Sequence, residues 1–328
     1  MMSEYAVAVD ERLSELQNWL SVVFSRQAYS IQPLAGDASF RRYFRVRIQN
    51  ESYIVMDAPP SRESCMSYLA IAKALQFSGV RFPFIFSADT QTGFVLLSDF
   101  GDRQLLQVLT PDNVNRYYNT AFRVLNRLQT HEYIPHYELP FFNADLYWKE
   151  FDIFFQWYLI KNKQWQLTAA QEKMLRDIYQ RLIDSALSQP SIFVHRDFHS
   201  RNLMVCDDGA LGVLDFQDAV WGPITYDCVS LLRDCYVRWP EKKGERWVHD
   251  YYRQCKRAGR INRVNFATFQ QWFDWMGLQR HLKCLGIFSR LSLRDEKHQF
   301  LNDVPRVLQY VREVCDSYSE LTVLKQFL

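Results

Sequence analysis

The sequence is poor in glycine and lacks the glycine motifs that bind phosphates in many enzymes. Only 11 of its 328 residues are glycine, well below the ~7% that is usual in globular proteins. None of these glycines is followed by lysine, and no G-x-G-x-x-G pattern occurs. These absences exclude P-loop NTPases and dinucleotide-binding enzymes of the Rossmann type.

Signals for export and for disulfide bonding are also missing. The N-terminus has no basic start and carries acidic residues through its apolar part, so we do not expect a signal peptide. No stretch approaches 18 uninterrupted apolar residues, which argues against a membrane span. The seven cysteines are scattered without a C-x-x-C pair, a pattern that favours reduced, buried thiols. We therefore expect a cytoplasmic protein that does not associate with membranes.

The chain has little net charge, at +2, while hydrophobic residues make up 48% of it. A near-neutral total argues against general nucleic-acid binding, and the composition is that of an ordinary globular protein. Nothing in the sequence predicts an obligate protein partner.

The periodicity of apolar residues changes near residue 99. Before that point it predicts strands and one internal helix, and after it mainly helices. We predict an α+β fold in two lobes, a small antiparallel β N-lobe (residues 1–98) and a larger, mainly helical C-lobe (residues 99–328). The predicted strands are 29–34, 40–48, 53–56, 82–88 and 93–97, and the predicted helices begin at 10 and span 64–77, 114–130, 145–161, 168–189 and 226–239.

One β-like segment, residues 192–216, interrupts the helical part and holds the residues best suited to catalysis. Asp197 is followed five residues later by Asn202, and Asp215 ends the segment's last apolar stretch. An Asp-Asp-Gly turn between two apolar stretches predicts a β-hairpin. Because a hairpin brings its outer ends together, Asn202 and Asp215 should face the same point.

That arrangement suits phosphoryl transfer. Mg²⁺ prefers hard oxygen ligands and takes only a few of them from protein, and Asn202 and Asp215 would supply an amide oxygen and a carboxylate. Asp197 would orient a substrate hydroxyl and accept its proton. The alternative is a surface hairpin in which these acids occur by coincidence.

The same motifs resemble those of the protein-kinase-like phosphotransferases, in the branch of the aminoglycoside and choline kinases. His195-Arg196-Asp197 with Asn202 resembles their catalytic loop, and Asp215-Phe216-Gln217 stands where protein kinases have Asp-Phe-Gly. Residues 34–46, 56–60 and 279–311 are similar to the anomeric sugar kinases of bacterial cell-wall recycling, which phosphorylate N-acetylmuramic acid and N-acetylglucosamine at C1. The resemblance implies a kinase-like fold, ATP and Mg²⁺ as cofactors, and a small amino-sugar acceptor.

By position, the resemblance also predicts nucleotide contacts in the turn at residues 36–39 and in the segment that joins the two lobes, residues 97–99. Kinases hold phosphates with a lysine on the third strand, but residues 53–57 contain none. Arg42 shares the apolar face of its strand, where a charge needs a partner, so we expect it to bind the triphosphate, whereas Arg41, Arg45 and Arg47 should be solvated. Glu63 lacks the lysine partner that it would have in kinases. The other predicted nucleotide contacts are Gly36, Asp37, Ala38, Ser39, Leu97, Ser98 and Asp99.

The same resemblance assigns Asp227 to structural support of the catalytic loop, and we expect His195 to support the loop by packing and hydrogen bonding within it. For Asp227 the alternative is an acid that merely lies at a helix N-terminus.

Charge is unevenly distributed in a way that bears on the acceptor. Residues 230–328 hold 18 Lys and Arg against 11 Asp and Glu, a net charge of +7, which leaves −5 for the rest of a chain with a total of +2. A cationic C-terminal part suits an anionic acceptor better than a cationic one. We expect at least one of Arg280, His281 and Arg290 to contact the acceptor, the alternative being a solvated basic face.

Rival functions remain open at this stage. A kinase that acts on an aminoglycoside or on another small hydroxylated metabolite would share the same core residues. The missing third-strand lysine also permits a pseudokinase that senses nucleotide without catalysis.

Overall fold

The computed structural model describes residues 10–34 and 41–328 of the chain. Strands and helices alternate in the first part, and helices dominate the second. The strands are β1 Ser30–Pro33, β2 Arg42–Ile48, β3 Glu51–Asp57, β4 Ile85–Asp89, β5 Phe94–Ser98, β6 Ser191–Val194, β7 Leu203–Val205, β8 Leu211–Val213 and β9 Val220–Pro223.

The helices follow the predicted order. They are α1 Glu11–Val23, α2 Met66–Leu75, α3 Leu105–Val108, α4 Val114–Leu128, α5 Ala144–Ile153, α6 Ala169–Leu187, α7 Tyr226–Leu232, α8 Glu241–Arg257, α9 Phe266–Asp295 and α10 Val304–Ser317. A π-helical segment, Phe154–Asn162, continues α5, and 3₁₀ segments occupy His298–Asp303 and Ser319–Phe327.

The chain divides into two compact units. One unit runs up to Lys73 and resumes from Pro83 to Phe100, and the other comprises Ala74–Phe82 and Gly101–Leu328. Residues 74–82 were predicted as part of the N-lobe, but they group with the second unit. There the carbonyl oxygen of Arg81 accepts a hydrogen bond of 2.8 Å from the amide of Val213, so the backbone of this segment follows the second unit.

The first unit is built on a five-stranded antiparallel sheet in the order β1-β2-β3-β5-β4. Helix α1 begins where the Asp10 carboxylate accepts a hydrogen bond from the amide of Leu13, as an N-cap does. The apolar side of α1 packs on one face of the sheet, to which alternate strand residues contribute their side chains. The buried cluster consists of Leu16, Leu20, Phe44, Val46, Val55, Phe94 and Leu96.

The second unit is organised around the long helix α9, which is buried over most of its length. The Asn265 side chain caps its start by accepting a hydrogen bond from the amide of Thr268. Gly286 lets α9 approach the end of α5, since an added Cβ would lie 2.6 Å from the backbone of Ile153. A larger residue at 286 would therefore push the two helices apart.

Some local predictions are wrong in detail. The helix predicted over 226–239 ends at Leu232, and the chain then turns so that the Asp234 carboxylate accepts hydrogen bonds from the amides of Ser200 and Tyr236. The capping of α6 by Thr168 is confirmed. All seven cysteines are free and buried, as expected. Within residues 10–34 and 41–328, no helix combines the length and apolar character that crossing a membrane requires.

Candidate active site

The predicted hairpin is present, and it brings its two ends together. Strands β7 and β8 are antiparallel, with Leu203 opposite Val213, and the amide of Leu214 donates a 2.9 Å hydrogen bond to the carbonyl of Asn202. The Asn202 side-chain amide lies 3.4 Å from Asp215 Oδ2 and donates at 3.0 Å to the carbonyl oxygen of Asp197. The three residues predicted to act together are therefore neighbours.

Two residues at this site have backbone angles that favour glycine. The φ angle is 75° at Arg196 and 62° at Asp215, in the left-handed region that non-glycine residues rarely occupy. Such a conformation costs on the order of 1 kcal/mol or more and is typical of functional sites. In both cases the strained residue is a predicted site residue or adjoins one.

Asp227, in the first turn of α7, holds the start of the catalytic loop. Its two carboxylate oxygens accept hydrogen bonds from the amides of His195 (2.7 Å) and Arg196 (3.0 Å). His195 Nε2 lies 2.8 Å from the carbonyl oxygen of Leu214. Burial raises the pKa of Asp227 to about 7 despite these two donors. The supporting role of His195 and Asp227 stays a prediction, and these contacts are the ones through which it would act.

A buried charge cluster underlies the same loop. Glu150, on α5, is only 2% exposed and accepts contacts of 2.8 Å from both Lys283 Nζ and Arg196 Nη2. The Gln279 side-chain amide donates to it at 2.7 Å. Burial alone would raise the pKa of Glu150, but Lys283 and Arg196 outweigh that effect and lower it. Glu150 was not among the predicted site residues. Its position in a helix between the apolar residues Tyr147 and Phe151 was a signal of burial and of a charge partner.

Asp197 is electrostatically tuned by these cations. Burial alone would raise its pKa, but Lys283, His199 and Arg196 lower the pKa of Asp197 to about 2. The group is therefore a carboxylate at physiological pH and a weak proton acceptor. Its charge is better suited to orienting a hydroxyl than to removing a proton from an ordinary alcohol.

The neighbouring pair Asn202 and Asp215 fits a Mg²⁺ site in its chemistry. The Asn202 amide nitrogen is used by the hydrogen bonds to Asp197 and Asp215, which assigns its oxygen to an outward ligand. Gln217 replaces the glycine of protein kinases and donates a 2.7 Å hydrogen bond to Asp215 Oδ1, which fixes that carboxylate. In the described ranges, no group of three or more His, Cys, Asp or Glu could hold a metal ion, at this site or at any other.

Comparison with known proteins places this geometry in a family. The sequence profile of the phosphotransferase enzyme family matches residues 30–260. This chain belongs to that family. The curated N-acetylmuramate/N-acetylglucosamine kinase of Pseudomonas putida is 38% identical to this phosphotransferase, over all of this chain and 95% of the relative. The kinase of the same name from Neisseria meningitidis is also 38% identical, over 97% of this chain and 95% of the relative.

Solved structures of this family share the fold. An ADP-bound aminoglycoside phosphotransferase superposes with a TM-score of 0.62 at 17% identity, covering 93% of this chain and 99% of that one. A choline kinase from Streptococcus pneumoniae gives a TM-score of 0.61 at 12% identity, covering 93% of this chain and all of the other. The predicted kinase-like α+β fold is confirmed.

The predicted nucleotide contacts of this phosphotransferase lie in its first unit. Arg42 contacts the Asp57 carboxylate at 2.7 Å and also pairs with Asp10, so two carboxylates already neutralise it. Leu97 and Ser98 end strand β5. Residues Gly36, Asp37, Ala38 and Ser39 lie outside the described residues. The nucleotide roles assigned to this set stay predictions.

The arginines that flank Arg42 are not solvated, and that prediction is wrong. Arg41 is buried, with its Nε 3.2 Å from Glu63 Oε2. Arg45 is buried as well, and its Nε lies 2.6 Å from Asp99 Oδ2. The second face of the sheet is buried at these two positions, so their charges need carboxylate partners, whereas Arg47 farther along β2 is exposed as predicted.

The predicted acceptor residues, all on α9, have different environments. Arg280 is 4% exposed, and His281 is fully buried, stacked on the Tyr310 ring with 4.8 Å between ring centroids. Arg290 is half-buried, and its Nε has no hydrogen-bond partner among the described residues. A solvated basic face is thus wrong for Arg280 and His281. The acceptor roles of Arg280, His281 and Arg290 stay predictions.

The two buried histidines should make this phosphotransferase sensitive to mild acid. Burial lowers the pKa of His195 to about 4 and that of His281 to about 3, from an ordinary 6.5. The unfolded chain binds a proton on each ring as the pH falls through 6.5, but the folded chain does not. Their contribution to stability is therefore complete above pH 6.5 and is lost toward the folded-state pKa values.

We expect the free energy of unfolding to fall by roughly 1.4 kcal/mol per pH unit for each histidine between about pH 6 and pH 4. Urea unfolding across that range measures the slope. A His281→Asn variant should show a shallower slope than the wild type, and equal slopes would contradict the assignment.

Proposed function

We propose that this phosphotransferase transfers the γ-phosphoryl group of ATP to the anomeric C1 hydroxyl of N-acetylmuramic acid, N-acetylglucosamine or both. The observation that carries the proposal is the convergence of Asp197, Asn202 and Asp215 at one point. The choice of acceptor is supported by full-length similarity to relatives that bear the name N-acetylmuramate/N-acetylglucosamine kinase. The reaction would belong to peptidoglycan recycling in the cytoplasm, where ATP is available.

The chain's residues would act mainly by positioning. Asp197 would accept a hydrogen bond from the C1 hydroxyl and direct its oxygen at the γ-phosphorus, where an O–P bond forms as the bond to ADP breaks. An anomeric hydroxyl is more acidic than a simple alcohol, so a carboxylate with a pKa of about 2 can take its proton late in the transfer and pass it to water. No covalent enzyme intermediate is needed.

Asn202 and Asp215 would hold Mg²⁺, which when bound neutralises charge on the transferred phosphates. Glu150 and Asp227 would act indirectly, without contacting the substrate. Through Arg196 and the loop amides they keep Asp197 in place.

The direct test is the identity of the product. The purified protein is incubated with ATP and, separately, N-acetylmuramate, N-acetylglucosamine, choline or kanamycin, and ADP release is followed. We expect turnover with at least one of the two sugars, and ³¹P and ¹H NMR should show phosphate on C1. The methyl glycoside of N-acetylglucosamine is the matched control, because its C1 oxygen is blocked.

The outcomes separate the alternatives. Phosphorylation of the methyl glycoside at the rate of the free sugar would show that C1 is not the site. Turnover with choline or kanamycin alone would assign a different acceptor. Absence of ADP release with every acceptor would favour a protein that senses nucleotide.

Arg42 provides a separate test of the predicted triphosphate contact. If it binds phosphate, Arg42→Ala should raise the KM for ATP about tenfold at saturating sugar, because a charge-assisted hydrogen bond is lost. A thermal melt checks that loss of the contacts with Asp57 and Asp10 has not unfolded the first unit. An unchanged ATP dependence would remove Arg42 from the site, and Arg41→Ala would then test the buried alternative beside Glu63.

A further inference from the structure

Arg280 is a buried cation in the second unit that forms no ion pair with a carboxylate among the described residues, and the charge of Asp197 acts on it without direct contact. Its Nη1 contacts only two sulfur atoms, Cys235 Sγ at 3.4 Å and Cys284 Sγ at 3.8 Å. The neighbouring cations differ, since the buried Lys283 pairs with Glu150 and the partly buried Arg233 pairs with Asp274. A buried charge normally has such a partner, because an uncompensated one is strongly destabilising.

The two sulfur atoms compensate Arg280 only in part. They lie 3.2 Å apart, and thiols are weak hydrogen-bond acceptors. The hydrogen bond from Cys235, together with Arg280 itself, lowers the pKa of Cys284. The Nε and Nη2 donors of Arg280 have no hydrogen-bond partner within the part of the chain that the structure describes.

Arg280 is also linked to the catalytic loop through Cys235. Its partner Cys235 stands between Asp234, which accepts a 2.8 Å hydrogen bond from the amide of Ser200, and Tyr236, whose ring lies 5.3 Å from that of His199. His199 and Ser200 follow Asp197 in the loop. Arg280 also helps to lower the pKa of Asp197, so its two unused guanidinium donors lie near the predicted catalytic group.

We propose that Arg280 binds the carboxylate of an anionic sugar acceptor and so determines the preference for an acidic over a neutral amino sugar. The inference rests on the proposed function. N-acetylmuramic acid carries a lactyl carboxylate that N-acetylglucosamine lacks, and the planar guanidinium presents adjacent donors that match a carboxylate. The ligand would complete the charge balance that the protein leaves open at this position.

The experiment compares the two sugars in matched variants. Arg280→Met removes the charge at similar length, and Arg280→Lys keeps the charge without the forked donors. Arg294→Met is the control, because Arg294 lies on the same helix but is exposed and paired with Asp295. We measure kcat/KM for both sugars and the KM for ATP.

Arg280→Met should lower kcat/KM about 50-fold for N-acetylmuramate and less than about threefold for N-acetylglucosamine. Arg280→Lys should fall between Arg280→Met and the wild type, and Arg294→Met should match the wild type. An unchanged ratio between the sugars would overturn the inference. Equal losses for both sugars with a raised KM for ATP would also overturn it, since Arg280 would then act on phosphate.

Failure of the proposed function gives a different result, namely a wild-type protein that phosphorylates neither sugar. If Arg280→Met does not fold, Arg280→Lys still decides the question through ligand-dependent thermal melting. N-acetylmuramate should raise the wild-type melting temperature more than that of Arg280→Lys, while N-acetylglucosamine should affect both proteins equally. Equal stabilisation by N-acetylmuramate would overturn the inference.

Discussion

Replacing Asp197 by Asn should lower kcat by about a thousandfold while leaving the KM for ATP within about threefold of the wild type. Asn has the same shape but lacks the negative charge that orients the acceptor hydroxyl and takes its proton. The predicted metal ligands Asn202 and Asp215 remain, so nucleotide binding should persist. Steady-state rates of ADP formation with N-acetylmuramate, together with ADP titrations, measure both quantities.

Asp207→Asn is the matched control for this substitution. Asp207 lies in the turn of the same hairpin, fully exposed, with a single surface contact to Arg103, so its loss should leave kcat unchanged. If Asp197→Asn kept more than about a tenth of the wild-type turnover, the assignment of Asp197 would be wrong. Parallel loss of ATP affinity would instead indicate a disturbed loop.

Replacing Glu150 by Gln should lower the free energy of unfolding by about 3–5 kcal/mol. The substitution keeps the shape of the side chain but removes the negative charge that both Lys283 and Arg196 contact at 2.8 Å. Two buried cations would then contact a neutral amide instead of a carboxylate. Removing one partner of a buried ion pair is strongly destabilising because it leaves a buried charge uncompensated. Urea unfolding at neutral pH measures the loss.

Asp177→Asn tests the same chemistry at the surface. Asp177 forms a solvent-exposed ion pair with Lys173 at 2.7 Å. We expect Asp177→Asn to change the free energy of unfolding by less than about 0.5 kcal/mol. A double variant with Lys283→Met should recover part of the Glu150→Gln deficit, because one unpaired cation is removed. Equal urea midpoints for Glu150→Gln and the wild type would contradict a structural role of the buried charge cluster around Glu150.

The sequence by itself determined the features that depend on neighbours along the chain. Alternation and turn residues predicted the sheet of the first unit and the hairpin, since a short turn necessarily joins the ends of its strands. The convergence of Asn202 and Asp215 followed from that hairpin alone. The five-residue spacing from Asp197 to Asn202 and the family-like stretches added the expected chemistry.

Only the tertiary structure decided which buried charges meet. Glu150 and Lys283 lie more than 130 residues apart in sequence, and they pair because Gly286 lets α9 approach the end of α5. Strand alternation predicts that Arg41 and Arg45 are solvated, but both are buried and each has a carboxylate partner. Long-range pairing depends on how elements pack, which local periodicity does not encode. For the same reason, the missing carboxylate beside Arg280 could be recognised only in the folded chain.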